Sequence, residues 1–220
     1  MVYYVSRTIL WLFFKICFRY RANNTGNVPR QGPFIIASNH LSFLDPCAAG
    51  FITHRQVHFL ARADLFGNVF FNWWGKAVGV IPVNRGRFDI SAIKGTLDCL
   101  KNGGVIALFP EGTRSKDGTI KDPKAGVGFV AVKAGVPVVP VFIKGSDKAL
   151  PHHAIFIRLK PIEVIVGDPV EPKTFLKNDG TYDYQALSQA VMRQIEKFSR
   201  YEPSPSYGGQ LGKQEGLGEG

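Results

Sequence analysis

In Asn39-His40-Leu41-Ser42-Phe43-Leu44-Asp45-Pro46, an imidazole and a carboxylate stand five positions apart, directly after the apolar run FIIAS (34–38). A histidine acting as general base needs a partner that fixes its tautomer and stabilises the imidazolium, and a carboxylate does both. On a continuous helix, positions five apart diverge by about 140°, so His40 and Asp45 would not share a face. Asp45-Pro46 offers a way round this. Asp as N-cap with Pro in the first helical position starts a helix only there, leaving 40–44 as a loop that can fold His40 back onto the carboxylate. The same residues also read as a capping aspartate next to an unrelated loop histidine.

A second group, Phe109-Pro110-Glu111-Gly112-Thr113-Arg114-Ser115, follows the run VIALF (105–109). Gly112 permits close backbone approach, Thr113 and Ser115 offer hydroxyls, and the guanidinium of Arg114 can fork onto a phosphate. Arg85 and Arg87 follow GVIPV (79–83) in a similar position. If these loops meet at one edge of a sheet they form an anion site near the imidazole. Otherwise they are polar turns with solvated arginines.

The elements that must position these residues are short apolar runs alternating with helical patterns. Strands are predicted at 34–38, 57–61, 79–83, 105–109, 138–143, 155–160 and 162–167, and helices over 88–102, 124–134 and 182–200. Such alternation implies an α/β domain with a mixed, largely parallel sheet flanked by helices, here spanning 34–202. Residues 23–33 are Gly/Asn/Pro-rich and read as a linker, and 203–220, with six glycines and no periodicity, as a disordered tail. Three widely spaced cysteines, Cys17, Cys47 and Cys99, suggest a reducing compartment. No metal is expected: the cysteines lack the paired short spacing of a zinc site, which leaves only His54, His58 and the His152-His153 pair as conceivable ligands, and HRQVH lacks the glutamate of a zincin helix.

The 220 residues carry 27 Lys and Arg against 17 Asp and Glu, a net charge of +10. No acid precedes Asp45, whereas Arg7, Lys15, Arg19, Arg21 and Arg30 do. An anionic partner near the N-terminus follows, with no nucleic-acid motif to make it DNA or RNA. Residues 2–18 are almost continuously apolar. As a helix they reach roughly 26 Å, short of a bilayer core of about 30 Å. Arg7, Thr8, Lys15 and Arg19 fall within a sector of about 120°, with Ile9, Leu10, Leu12, Phe13 and Ile16 mostly elsewhere. That pattern suits a helix over 1–22 lying in a membrane interface with its basic side chains at headgroup level, the alternatives being a span or a helix packed on the protein's own core. Either membrane reading places the body on the cytoplasmic side.

Together the motifs resemble the glycerolipid acyltransferases of the 1-acylglycerol-3-phosphate acyltransferase family. NHLSFLD (39–45), GVIPVNR (79–85), FPEGTRS (109–115) and VPVVPV (136–141) stand in the order of that family's four blocks. The resemblance covers about half of the chain, residues 34–143. It implies that His40 is the base and Asp45 its orienting partner, in direct attack of an acceptor hydroxyl on an acyl thioester. It also implies that Arg85, Glu111, Gly112, Thr113 and Arg114 line the acceptor's glycerol phosphate, and that Arg62 takes the place of a lysine the family often carries downstream of the first block. The implied substrates are lysophosphatidate and an acyl-CoA or acyl-carrier protein thioester, with no further cofactor. The expected setting is monotopic, on the cytoplasmic face of an anionic membrane. Glycerol 3-phosphate or another lysophospholipid is the alternative acceptor, and a non-catalytic lipid-binding module the alternative of another class.

Overall fold

The computed structural model describes residues 1–200 apart from 67, 85–88, 116–117 and 153 and the side chains of 65–66 and 69–72. Arg85, Arg87, His153 and the tail 203–220 therefore lie outside the described residues. In chain order the elements are α1 (Val2–Cys17), β1 (Arg21–Asn23), β2 (Phe34–Ser38), α2 (Asp45–Gly50), β3 (Val57–Arg62), α3 (Val69–Ala77), β4 (Val80–Val83), α4 (Ile90–Lys101), β5 (Val105–Leu108), α5 (Gly126–Ala134), β6 (Val138–Lys144), α6 (Ser146–Ala149), β7 (Glu163–Val166) and α7 (Tyr184–Ser199). The strands form one sheet in the order β1-β7-β6-β2-β5-β3-β4. β6, β2, β5, β3 and β4 run parallel, while β7 pairs antiparallel with β6 and β1 parallel with β7.

The Val/Ile-rich runs form strands because both faces of the sheet are covered, and alternate side chains go to opposite cores. Phe34, Ile36, Val105, Ala107, Val139 and Val141 meet α1 and α2 on one face. Ile35, Ala37, Ile106, Val138 and Phe142 meet α4, α5 and α7 on the other. Asp89 and Asp183 cap α4 and α7, accepting from the amides of Ala92 and Ala186.

Three readings of the sequence are corrected here. IFIRLK (155–160) is not a strand: the amides of Arg158 and Lys160 donate to Ala149 and Arg158, neither of them in a strand, and the large apolar side chains of 155–159 face solvent. The N-terminal helix stops at Cys17 rather than near 22, and Arg21–Asn23, divided between helix and linker in the sequence reading, is an edge strand on β7. Arg7 points into the protein rather than toward headgroups, donating from Nη2 to the Thr53 carbonyl at 2.8 Å. α1 is thus two-sided. Tyr3, Arg7, Leu10 and Phe14 follow helical spacing along the docked face, while Val5, Ile9, Leu12 and Ile16 are exposed on the opposite one. Among the described residues, no helix is long and apolar enough to cross a membrane.

Candidate active site

β2 and β5 lie side by side, with Ala37 opposite Leu108. From them the chain departs in opposite directions, through α2 to β3 and through α5 to β6, so a crevice opens at their carboxyl ends where ligands bind in open α/β sheets. The loops carrying His40 and Glu111 both emerge there. Each is tied to the other by backbone: the Ser115 amide donates to the His40 carbonyl at 2.8 Å.

Residues 40–44 are the expected loop, and it closes on Asp45. One oxygen of the fully buried carboxylate, Oδ2, lies 3.1 Å from His40 Nδ1 and accepts the amides of Leu41 and Ser42, both at 2.6 Å. Asp45 is therefore not the N-cap foreseen in the sequence. It is the first residue of α2 after Leu44, with its side chain turned back to hold the loop. A carboxylate only accepts, so His40 Nδ1 is the donor in this pair. The imidazole stacks on Phe109 at 3.8 Å between centroids and 15° between planes, leaving its side chain 17% exposed.

Glu111 is nearly buried, and its oxygens accept the amides of His40 at 3.0 Å and Lys121 at 3.3 Å. Burial pushes its carboxyl up, against the opposite pull of those two amides. Gly112 makes the turn that follows, at φ +74°, a conformation that disfavours a side chain. Thr113 beside it is exposed. Arg114 lays its guanidinium 3.5 Å over the ring of exposed Phe43, a contact joining the two loops. His40, Asp45, Glu111, Gly112, Thr113 and Arg114 are thus assembled at one point of the sheet edge. Arg62 ends β3 at the same edge but beyond β5, where its guanidinium pairs with Asp64. Val83 ends β4 one strand further out, and Arg85 lies outside the described residues.

Asn39 was overlooked in the sequence as a working residue. Its amide exchanges two hydrogen bonds with the backbone of Ile143, at 2.9 and 2.8 Å, and so clips the start of the histidine loop to β6. Its place inside the motif was the available signal.

On the α1 side of the sheet, an apolar cavity of about 220 Å³ begins at Pro46 and Cys47, just past Asp45. Leu10, Phe51, Phe59 and Val80 are among its walls. Desolvation, with Asp45's charge adding to it, holds the Cys47 thiol up at about 11, so it lines the cavity as a neutral group. Among the described residues, no cluster of three or more His, Cys, Asp or Glu could hold a metal ion.

The sequence profile of the family described as Acyltransferase matches residues 19–144, over half of the chain. A chloroplastic 1-acyl-sn-glycerol-3-phosphate acyltransferase of Arabidopsis thaliana is 35% identical over 147 residues, covering 64% of this chain and 41% of that protein. A 1-acyl-sn-glycerol-3-phosphate acyltransferase of Bacillus subtilis is 27% identical over 175 residues, covering 79% and 85%. The crystal structure of PlsC, the 1-acyl-sn-glycerophosphate acyltransferase of Thermotoga maritima, superposes with a TM-score of 0.71 at 27% identity, covering 92% of this chain and 80% of that one. The chain spans under half the length of the plant relative, and the residues that the family profile matches include both loops of the crevice. With this fold, these two loops and the profile match, the chain belongs to the acyltransferase family.

Proposed function

We propose that the protein transfers an acyl group from an acyl thioester, acyl-CoA or acyl-carrier protein, to the free hydroxyl of 1-acyl-sn-glycerol 3-phosphate, forming phosphatidate. The observation that carries this reading is the His40–Asp45 pair, held in a loop closed by the buried Asp45 carboxylate beside the Glu111–Arg114 loop. His40 Nε2 takes the proton of the acceptor hydroxyl as its oxygen attacks the thioester carbonyl. The tetrahedral intermediate collapses, the C–S bond breaks, and the imidazolium returns the proton to the departing thiolate. Asp45 keeps the reactive tautomer and steadies the imidazolium charge.

Arg114 and Arg85 supply positive charge for the substrate phosphate, with Gly112 and Thr113 beside it and Arg62 at the outer rim. Glu111 acts as a positioning residue, because its carboxylate holds the His40 backbone. The apolar cavity next to Asp45 supplies space for an acyl chain. The outward stripe of Val5, Ile9, Leu12 and Ile16 seats α1 in the interface of an anionic membrane, on its cytoplasmic face. The same seating gives Lys15 and Arg19, exposed at the end of α1, an anionic surface to meet.

Purified protein given labelled acyl-CoA or acyl-carrier protein with lysophosphatidate, glycerol 3-phosphate and a non-phosphorylated monoacylglycerol should acylate lysophosphatidate best. Preference for the non-phosphorylated acceptor would defeat the phosphate assignment. His40→Ala should lower kcat by about 10²–10⁴-fold. Activity persisting within a few-fold would remove His40 as base, and no transfer by the unaltered protein would leave a non-catalytic lipid-binding module.

A further inference from the structure

Residues 155–160, IFIRLK, have the composition of a strand and none of its burial. Ile155, Phe156 and Leu159 are 89%, 84% and 72% exposed, with Ile157 half-exposed between them. Single exposed apolar side chains are ordinary, but four within five positions form a patch that marks an interaction site. The segment is held by backbone instead of by its side chains. The Arg158 amide donates to the Ala149 carbonyl at 2.7 Å, and the Ile162 amide to the carbonyl of Phe18, just past α1, at 2.9 Å. Upstream, the Leu150 carbonyl accepts the Ser42 hydroxyl at 2.8 Å. One stretch of chain therefore connects the end of α1, the exposed patch and the loop that carries His40.

Within residues 150–162 the charges have one sign, the nearest acids in sequence being Asp147 and Glu163. Arg158 and Lys160 are the charged residues of 150–162, and both are exposed. Lys15 and Arg19, at the adjoining end of α1, are exposed as well, and no acid occurs in residues 1–44. Packing this patch on its copy across a two-fold axis would bring these cations together, whereas an anionic lipid surface complements them.

We propose that residues 155–160 form a second bilayer-inserting element beside α1, sinking Ile155, Phe156 and Leu159 among the acyl chains of an anionic membrane and setting Arg158 and Lys160 against lipid phosphates. This deepens the membrane reading of α1 and rests on it. Two contacts fix the tilt of the domain, which one helix lying flat does not. Through Ala149, Leu150 and Ser42 the inserted segment sets the height of the His40 loop above the membrane, so that a lysolipid hydroxyl is met at headgroup level.

Full-length protein is sedimented with vesicles of phosphatidylcholine containing phosphatidylglycerol, and with vesicles of phosphatidylcholine alone. Ile155→Ser/Phe156→Ser/Leu159→Ser should reduce partitioning into the anionic vesicles by about tenfold or more, with the thermal midpoint unchanged because the replaced side chains are solvated. Arg158→Gln/Lys160→Gln should reduce partitioning into anionic vesicles and leave neutral ones unaffected. A parallel variant, Ile9→Ser/Ile16→Ser, separates the two elements. If it weakens binding while the triple variant binds like wild type, the second element is overturned and the α1 reading stands. If the triple variant changes only a dimer into a monomer by sedimentation velocity, the patch is an interface between copies and the proposal is also overturned.

Discussion

A single oxygen of Asp45 carries most of the organisation of the site, since it holds two loop amides as well as the imidazole. Asp45→Asn keeps the shape but removes the charge that favours the Nδ1-protonated tautomer and the imidazolium. We expect kcat to fall by at least about 10²-fold, with the circular dichroism spectrum of the wild type retained; an unchanged kcat would show that His40 does not depend on its partner. Glu111 gives a pH signature. Its folded pKa is raised by burial, so its contribution to stability is fully present below the unfolded value, near about 4.3, and is lost as pH rises through the folded one. In urea unfolding from about pH 4 upward, Glu111→Gln should show a smaller loss of midpoint with rising pH than wild type, and parallel curves would exclude the residue as the source. The His40–Asp45 pairing was legible because Asp-Pro marks where the helix begins. The roles of Asn39 and Glu111 were not, because their partners Ile143 and His40 lie 104 and 71 positions away.

At the scale of elements, the doubly covered strands were readable as Val/Ile runs between turns, since a sheet buried on both faces needs apolar side chains throughout. The same rule misleads at 155–160, where apolar composition exists without a partner, and it is silent for Arg21–Asn23, whose place in the sheet comes from β7 rather than from its own three residues. α3 also escaped notice, its Phe70, Phe71, Trp73 and Trp74 being weak helix formers. The approach of α5 to α7 depends on a missing side chain. A Cβ on Gly128 would stand 2.0 Å from the Tyr184 carbonyl oxygen, and the Gly128 amide donates to Ser188 Oγ at 3.0 Å. Gly128→Ala should therefore cost about 1–3 kcal/mol or more in chemical denaturation. A neutral effect would mean that the two helices can separate without loss, which their burial of Leu187, Val191 and Ile195 argues against.

For the molecule as a whole, the uneven charge makes the proposed docking on an anionic membrane dependent on salt. Raising NaCl from about 0.1 to about 1 M shortens the screening length from about 10 to about 3 Å, so partitioning into anionic vesicles should drop at least tenfold while partitioning into neutral ones does not. Insensitivity to salt would leave the basic residues without a part in docking. The sheet's edge has a further consequence, in the order of events during synthesis. β1 follows α1, yet its one partner strand among the described residues, β7, is made about 140 residues later. At ribosomal speeds of about 5–20 residues per second that is a wait of roughly 7–30 s. The docking face of α1, with Tyr3 and Phe14, waits less long, since β2 and β3, which it packs against, end by residue 62. Until then a nascent chain exposes Tyr3 and Phe14 as well as Val5, Ile9, Leu12 and Ile16, so a nearby membrane could capture α1 before the rest of the domain has folded.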